Sequence, residues 1–392
     1  MQPIQCALRS ILILCCSVAL LGASCHRASN NVAAGPSADP FSAAIPLDRY
    51  ADDLGRFLAG LPGRTGSPFG ELEGLPAWIE HRQELDRAWS GMERSSLAAM
   101  RAFQKQELGA APVIQAPVFY PFSGPDALMV TTFFPANAVY VMVGLEPAGT
   151  LPSARQLSRK DLETYLAGVR TTLASELGRS FFITREMDHQ FRGQVTDGLF
   201  LPILELLIRS RHTILGFRYV RLNDRGQIIE RPAESVMRKF TDKGVEIEFL
   251  RDDDQSIHKL LYFSVDLSDN RLRENQAFLA LLANLKGVDT LLKATSYMIH
   301  KSEFSIIRER LLAASAAVLQ DDSGIPYRFF DERSWTVKLY GDYVRPYGSF
   351  RWLEQVDLRK AYLASVVKTL NFRIGYGYGK IPSNLLLARK VH

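Results

Sequence analysis

From Ala111 onward the chain alternates short β-rich apolar runs with longer segments of helical periodicity, and this alternation restricts its folds more than any other feature. Ala138 to Leu145 (AVYVMVGL) is apolar without interruption, the pattern of a strand buried on both faces. Before it come a strand, Val113 to Phe122, and a helix, Asp126 to Phe134. After it come a helix, Ser158 to Leu177, a strand, Phe181 to Thr184, and a helix, Val195 to Arg209. A βαβαβ series then runs through strand Lys259–Asp266, helix Glu274–Leu285, strand Val288–Ala294, helix Ser302–Ser315 and strand Ala317–Asp321. The tail reads as a β-rich piece, Thr336 to Val344, a helix, Asp357 to Thr369, and a last strand, Asn371 to Tyr378. Alternation of this kind predicts an α/β fold with a mostly parallel sheet and helices on both faces.

Two segments depart from the alternation. Residues 45–110 read as a helical N-terminal layer. Leu54, Phe57 and Leu58 recur at helical spacing, as do Trp78, Leu85, Trp89, Met92, Leu97 and Met100. Around residues 213–251 the pattern is an antiparallel insertion in the 111–392 domain. Ile214 to Leu222 turns at Asn223-Asp224-Arg225-Gly226 and returns through Gln227 to Glu230, and Val245 to Leu250 follows as a strand. The most apolar helix, around Leu199 to Ile208, contains Pro202 and Glu205 and reads as a buried helix, not a membrane span.

In open α/β sheets ligands bind at the carboxyl ends of the strands. The loops expected there contain Ser123, Gly124 and Asp126 after the first strand, Glu146 after the second, and Asp321 and Asp322 after the last. These six are the candidate ligand-binding residues. A glycine turn opening a helix, followed by an acid on the next strand, is the logic of nucleoside binding. The helix N-terminus meets an anionic group and the carboxylate accepts from ribose hydroxyls. Ordinary turn chemistry accounts for the same residues: Gly124 makes a turn, Asp126 caps a helix, and Glu146 sits at a solvated strand end. Arg185, Glu186, Asp188 and His189 form a weaker acid–base group, and His300 stands near Tyr297 and Lys301. Asp252, Asp253 and Asp254 lack calcium-loop spacing and read as a solvated turn, and the histidines show no paired zinc spacing, so no metal site is expected. No nucleophile elbow, P-loop or paired-acid motif fixes a reaction, so catalytic residues stay unassigned.

The element order from Ala111 to Tyr378 resembles Rossmann-like S-adenosylmethionine-dependent methyltransferases. The resemblance maps the cofactor's ribose acid onto Glu146 and the glycine-rich turn onto Ser123 and Gly124. This turn carries Gly124 alone, and Pro125 beside it removes a donor and stiffens the loop. The segments Tyr120 to Asp126 (YPFSGPD) and Gln320 to Tyr327 (QDDSGIPY) are similar to segments of uncharacterised bacterial envelope lipoproteins, a family with no assigned activity.

The N-terminus agrees with an envelope address. Arg9 precedes an apolar run from Ile11 to Ala23, and small residues lead to Cys25. These are the parts of a secretory signal, and the run is too short to span a bilayer. Ala23, Ser24 and Cys25 resemble a lipobox, with Gly22 where a leucine is usual. That resemblance implies cleavage and lipidation at Cys25, a membrane anchor facing the periplasm and, because His26 is not Asp, the outer membrane over the inner. Residues 26–44 are poor in large apolar side chains and read as a flexible linker. All four cysteines, Cys6, Cys15, Cys16 and Cys25, lie within the signal or end it, so the exported body would hold no thiol or disulfide. The 47% hydrophobic and 23% charged composition is that of a globular protein, and a net charge of +5 without a Lys/Arg block gives no reason to expect nucleic acid. A small molecule or an envelope protein remains as the partner.

Overall fold

The computed structural model describes residues 41, 44–109, 116–153, 162–170, 198–231, 243–346, 348–376 and 383–391. All lie in one unit that begins at Asp39. The export signal with Cys25, the strand Phe181 to Thr184 and the group Arg185, Glu186, Asp188 and His189 fall outside the described residues. So does most of the linker, but Phe41 already packs on the body and its carbonyl accepts from Lys259 Nζ at 2.7 Å.

The strands are β1 (Val118–Pro121), β2 (Val139–Gly144), β3 (His212–Leu222), β4 (Ile228–Glu230), β5 (Lys243–Arg251), β6 (Ile257–Ser264), β7 (Val288–Leu292), β8 (Ser315–Gln320), β9 (Trp335–Gly341) and β10 (Asn384–Lys390). They form one sheet in the order β4-β3-β5-β6-β2-β1-β7-β8-β10-β9. The α/β class is as expected, but the sheet is not mostly parallel. Four neighbouring pairs, joining β6, β2, β1, β7 and β8, are parallel. The five pairs outside this block are antiparallel. Periodicity reports burial, not direction. Direction is set by the side of the sheet on which each connection returns, and side-chain pattern carries no record of that. The insertion adds β3, β4 and β5 to one edge through the expected hairpin, where Gly226 takes φ +72° and Asn223 Oδ1 accepts from Arg225 N at 3.0 Å. At the other edge the last strand is Asn384–Lys390, while residues 371–376 are irregular and Gly375 turns at φ +64°.

The α-helices longer than four residues are α1 (Arg49–Leu58), α2 (Pro76–Met92), α3 (Ala98–Phe103), α4 (Ala127–Phe133), α5 (residues 162–170), α6 (Phe200–Arg209), α7 (Asp269–Glu274), α8 (Gln276–Asn284), α9 (Ser305–Ala314) and α10 (Val356–Ala364). Successive residues of β2 serve opposite faces. Tyr140 and Met142 join the core with Leu54 and Phe57 of α1, Trp78 and Leu85 of α2, and Leu204 and Leu207 of α6. Val139, Val141 and Val143 join the core with Phe278 and Leu281 of α8 and Ile307 and Leu311 of α9. This double burial explains the unbroken apolar run in β2. No helix among the described residues is long and apolar enough to cross a membrane.

α6 is buried throughout, as its sequence requires, and this places Glu205 in the core. Its Oε1 has no hydrogen-bond partner among the described residues. Burial pushes its carboxyl well above the usual range, against the opposing pull of Arg209. A raised folded-state value means stability that is whole at low pH and fades as pH rises. Glu205→Met is therefore expected to stabilise the body by about 1–3 kcal/mol at pH 8 and by less at pH 5. Urea melts at the two pH values check this, and equal gains at both would contradict it.

Candidate functional site

All six candidate residues lie at the carboxyl edge of the parallel strands. Counted in chain order, those five strands sit 3-2-1-4-5, so the order reverses between β1 and β7. That reversal opens a crevice in sheets of this kind. Here the crevice is filled from within. Asp126 caps α4, its Oδ1 accepting from Met129 N at 3.2 Å. Its Oδ2 accepts from the Tyr120 hydroxyl at 2.8 Å and meets Lys293 Nζ, just beyond β7, at 2.5 Å. Asp126 and Lys293 are both almost wholly buried. The carboxylate neutralises the positive charge that the helix N-terminus and the lysine would otherwise offer an anionic ligand. Gly124 takes φ +53° with open space where a Cβ would stand, so it serves the turn and not a close approach. The Ser123 hydroxyl donates to Val143 O at 3.2 Å, tying this loop to β2. Glu146 is buried, not solvated. Its backbone carbonyl accepts from the Tyr262 hydroxyl at 2.7 Å, and its charge adds to the burial that raises that phenol. The strand end is roofed by its own neighbours.

Across the crevice, Asp321 and Asp322 form a second group around the loop that leaves β7. Ala294, Ser296 and Tyr297 have φ of 50°, 52° and 52°, the left-handed region that costs about 1–2 kcal/mol for each non-glycine residue. Hydrogen bonds hold them there. Asp321 Oδ2 accepts from Ala294 N at 2.8 Å, and Thr295 N donates to the Ser323 hydroxyl at 2.9 Å. The Tyr376 hydroxyl donates to Ala294 O at 2.8 Å and accepts from Ser296 N at 2.9 Å. A Cβ at Gly375 would collide with the Asp321 carboxylate, so glycine is needed for the approach of this strap.

The product of this strain is the position of Tyr297. Its hydroxyl donates to Asp322 Oδ2 at 2.6 Å, and Asn384 Nδ2 donates to Asp322 Oδ1 at 3.2 Å. Burial, and then the charge of Asp321, raise the Asp322 carboxyl to about 7. Burial raises Asp321 too, opposed by its bonds to Ser323 and Ala294 and by the charge of Lys293. Lys293 thus acts on both groups of candidates. A small cavity of ≈ 10 Å³ lies beside Asp322, bounded by Tyr297, Arg345, Tyr376 and Asn384. Its size is that of about one water. His300 packs edge-on to Tyr297 at 5.1 Å, and burial lowers its imidazole to about 4, so it is neutral at physiological pH. Asp252, Asp253 and Asp254 occupy an exposed turn.

Sequence reasoning missed Lys293, Tyr376 and Asn384. A charge immediately after the apolar run of β7 was a usable signal for Lys293. Nothing local marks Tyr376 or Asn384, which come from distant segments. Comparison of the chain with protein-family models, with curated proteins and with solved structures finds no match.

Proposed function

We propose that this chain is a lipid-anchored protein of the bacterial cell envelope whose α/β body binds a small polar molecule at Asp322. The observation that supports binding is the strained loop Ala294–Tyr297, held by Asp321, Ser323 and Tyr376 so that Tyr297 meets Asp322 beside the cavity. Strain of this kind persists where the surroundings over-determine it, and such positions cluster at functional sites. The 3-2-1-4-5 order of the parallel strands supports kinship with Rossmann-like folds. The residues do not fit the cofactor that the methyltransferase resemblance implies. Asp126 occupies the helix N-terminus and pairs with Lys293, which supports Asp322 over the Gly124 turn as the binding position.

A thermal-shift panel of ammonium, methylamine and other polar molecules close to water in size tests the reading. A ligand at a hundredfold excess over its dissociation constant adds about 2.7 kcal/mol to stability. The expected shift is lost in Asp322→Ala and kept in Ser123→Ala. Absence of any shift, or its survival in Asp322→Ala, would overturn the assignment. One observation favours a second reading, an acid–base enzyme. A carboxyl near 7 beside a tyrosine hydroxyl can exchange a proton at neutral pH.

A further inference from the structure

Half of the large apolar side chains that stand exposed among the described residues fall within fifteen positions of each other. Trp352, Leu363 and Val366 are 79%, 83% and 97% exposed, and Val356 is exposed as well. Trp352 lies in the turn Gly348–Leu353 that leads into α10, Val356 begins the helix, and Leu363 lies seven residues further on the same face. α10 packs inward through Leu358, and no element among the described residues covers its outer side. Arg359 and Lys360 lie between Val356 and Leu363 and are themselves exposed. The Arg351 guanidinium rests over the Trp352 ring at 4.4 Å. Charge is concentrated in the same place. Residues 345–373 hold six Lys or Arg against two Asp or Glu, and of the six Lys368 is paired with Glu107 from outside the segment.

We propose that the outer face of α10 and the preceding turn is a docking surface for an anionic phospholipid bilayer. The interleaving of charge and apolar area decides the occupant. An apolar groove on a protein would have to bury Arg359 and Lys360 against carbon, which is strongly unfavourable without partner charges. The headgroup–acyl boundary takes both at once: basic side chains meet phosphates while a tryptophan and aliphatic groups enter the boundary. Glu354 pairs with Arg345 at 2.6 Å and Arg359 at 3.5 Å, which orders the basic rim and leaves the net charge positive. The surface stands independently of the Asp322 site.

The test uses a chain beginning at Asp39, which retains every described contact, and vesicles of phosphatidylcholine with or without phosphatidylglycerol. Sedimentation with the mixed vesicles and not with phosphatidylcholine alone is expected. Arg359→Glu with Lys360→Glu lowers that binding by at least about tenfold. Leu363→Ser with Val366→Ser lowers it at unchanged melting temperature, since both side chains are exposed. Absence of binding to the mixed vesicles, or binding that both pairs of variants leave intact, overturns the proposal. So does concentration-dependent self-association that the Leu363→Ser, Val366→Ser pair abolishes in place of lipid binding, which would assign the face to a second copy of the chain.

Discussion

Lys293→Met is expected to lower the stability of the body by about 3–5 kcal/mol, the largest single-residue effect at this edge. The variant leaves Asp126 buried without its cation, although the Tyr120 hydroxyl and Met129 N still reach it. The cost is that of an uncompensated charge and not the net value of the pair. Replacing both partners, Lys293→Met with Asp126→Asn, should therefore recover much of the loss. A double-mutant cycle by urea denaturation measures the coupling. Additive losses would mean that Lys293 is not Asp126's essential partner. The same variant bears on the candidate site, because the charge of Lys293 also restrains Asp321.

The second large effect is a pH dependence centred on Asp322. Its carboxyl is raised from 3.8 to about 7 by burial and by Asp321. It binds its proton more tightly folded than unfolded. Its contribution is therefore whole below the unfolded value and is lost as pH rises through the folded one. Over that window, from about pH 4 to 7, the loss is on the order of 4 kcal/mol. Glu205 and Glu246, also raised by burial, act with the same sign. The difference between wild type and Asp322→Asn reads the part carried by Asp322 together with Asp321, whose charges act on each other. The variant is expected to gain stability relative to wild type across this window, and parallel stability–pH curves would exclude the assignment.

How much of this was legible beforehand differs by feature. Turn chemistry identified the Asn223–Gly226 hairpin and the Asp126 cap, because those depend on neighbours in the chain. The tail was misread. Gly375 and Tyr376 fall in a strap against Asp321 and the β7 loop, while the true last strand, Asn384–Lys390, inserts between β8 and β9. Residues 371–378 looked like a strand because local pattern cannot distinguish pairing with another strand from packing against a carboxylate. Glu146 looked solvated because position at a strand end does not show what covers it.

The sequence by itself determined the α/β class, the burial of β2 on both faces, the apolar α6 and the carboxyl-edge position of the candidate residues. All follow from periodicity and local backbone preference, which operate over a few residues. Only the tertiary structure decided strand direction, the antiparallel edges, the closure of the Asp126 crevice by Lys293 and the joining of Tyr297, Tyr376 and Asn384 around Asp321 and Asp322. The side-chain pairings among them reach across 25 residues for Tyr297 and Asp322 and 167 for Asp126 and Lys293. Their energies come from burial and charge neutralisation, which exist only once the distant segments have met.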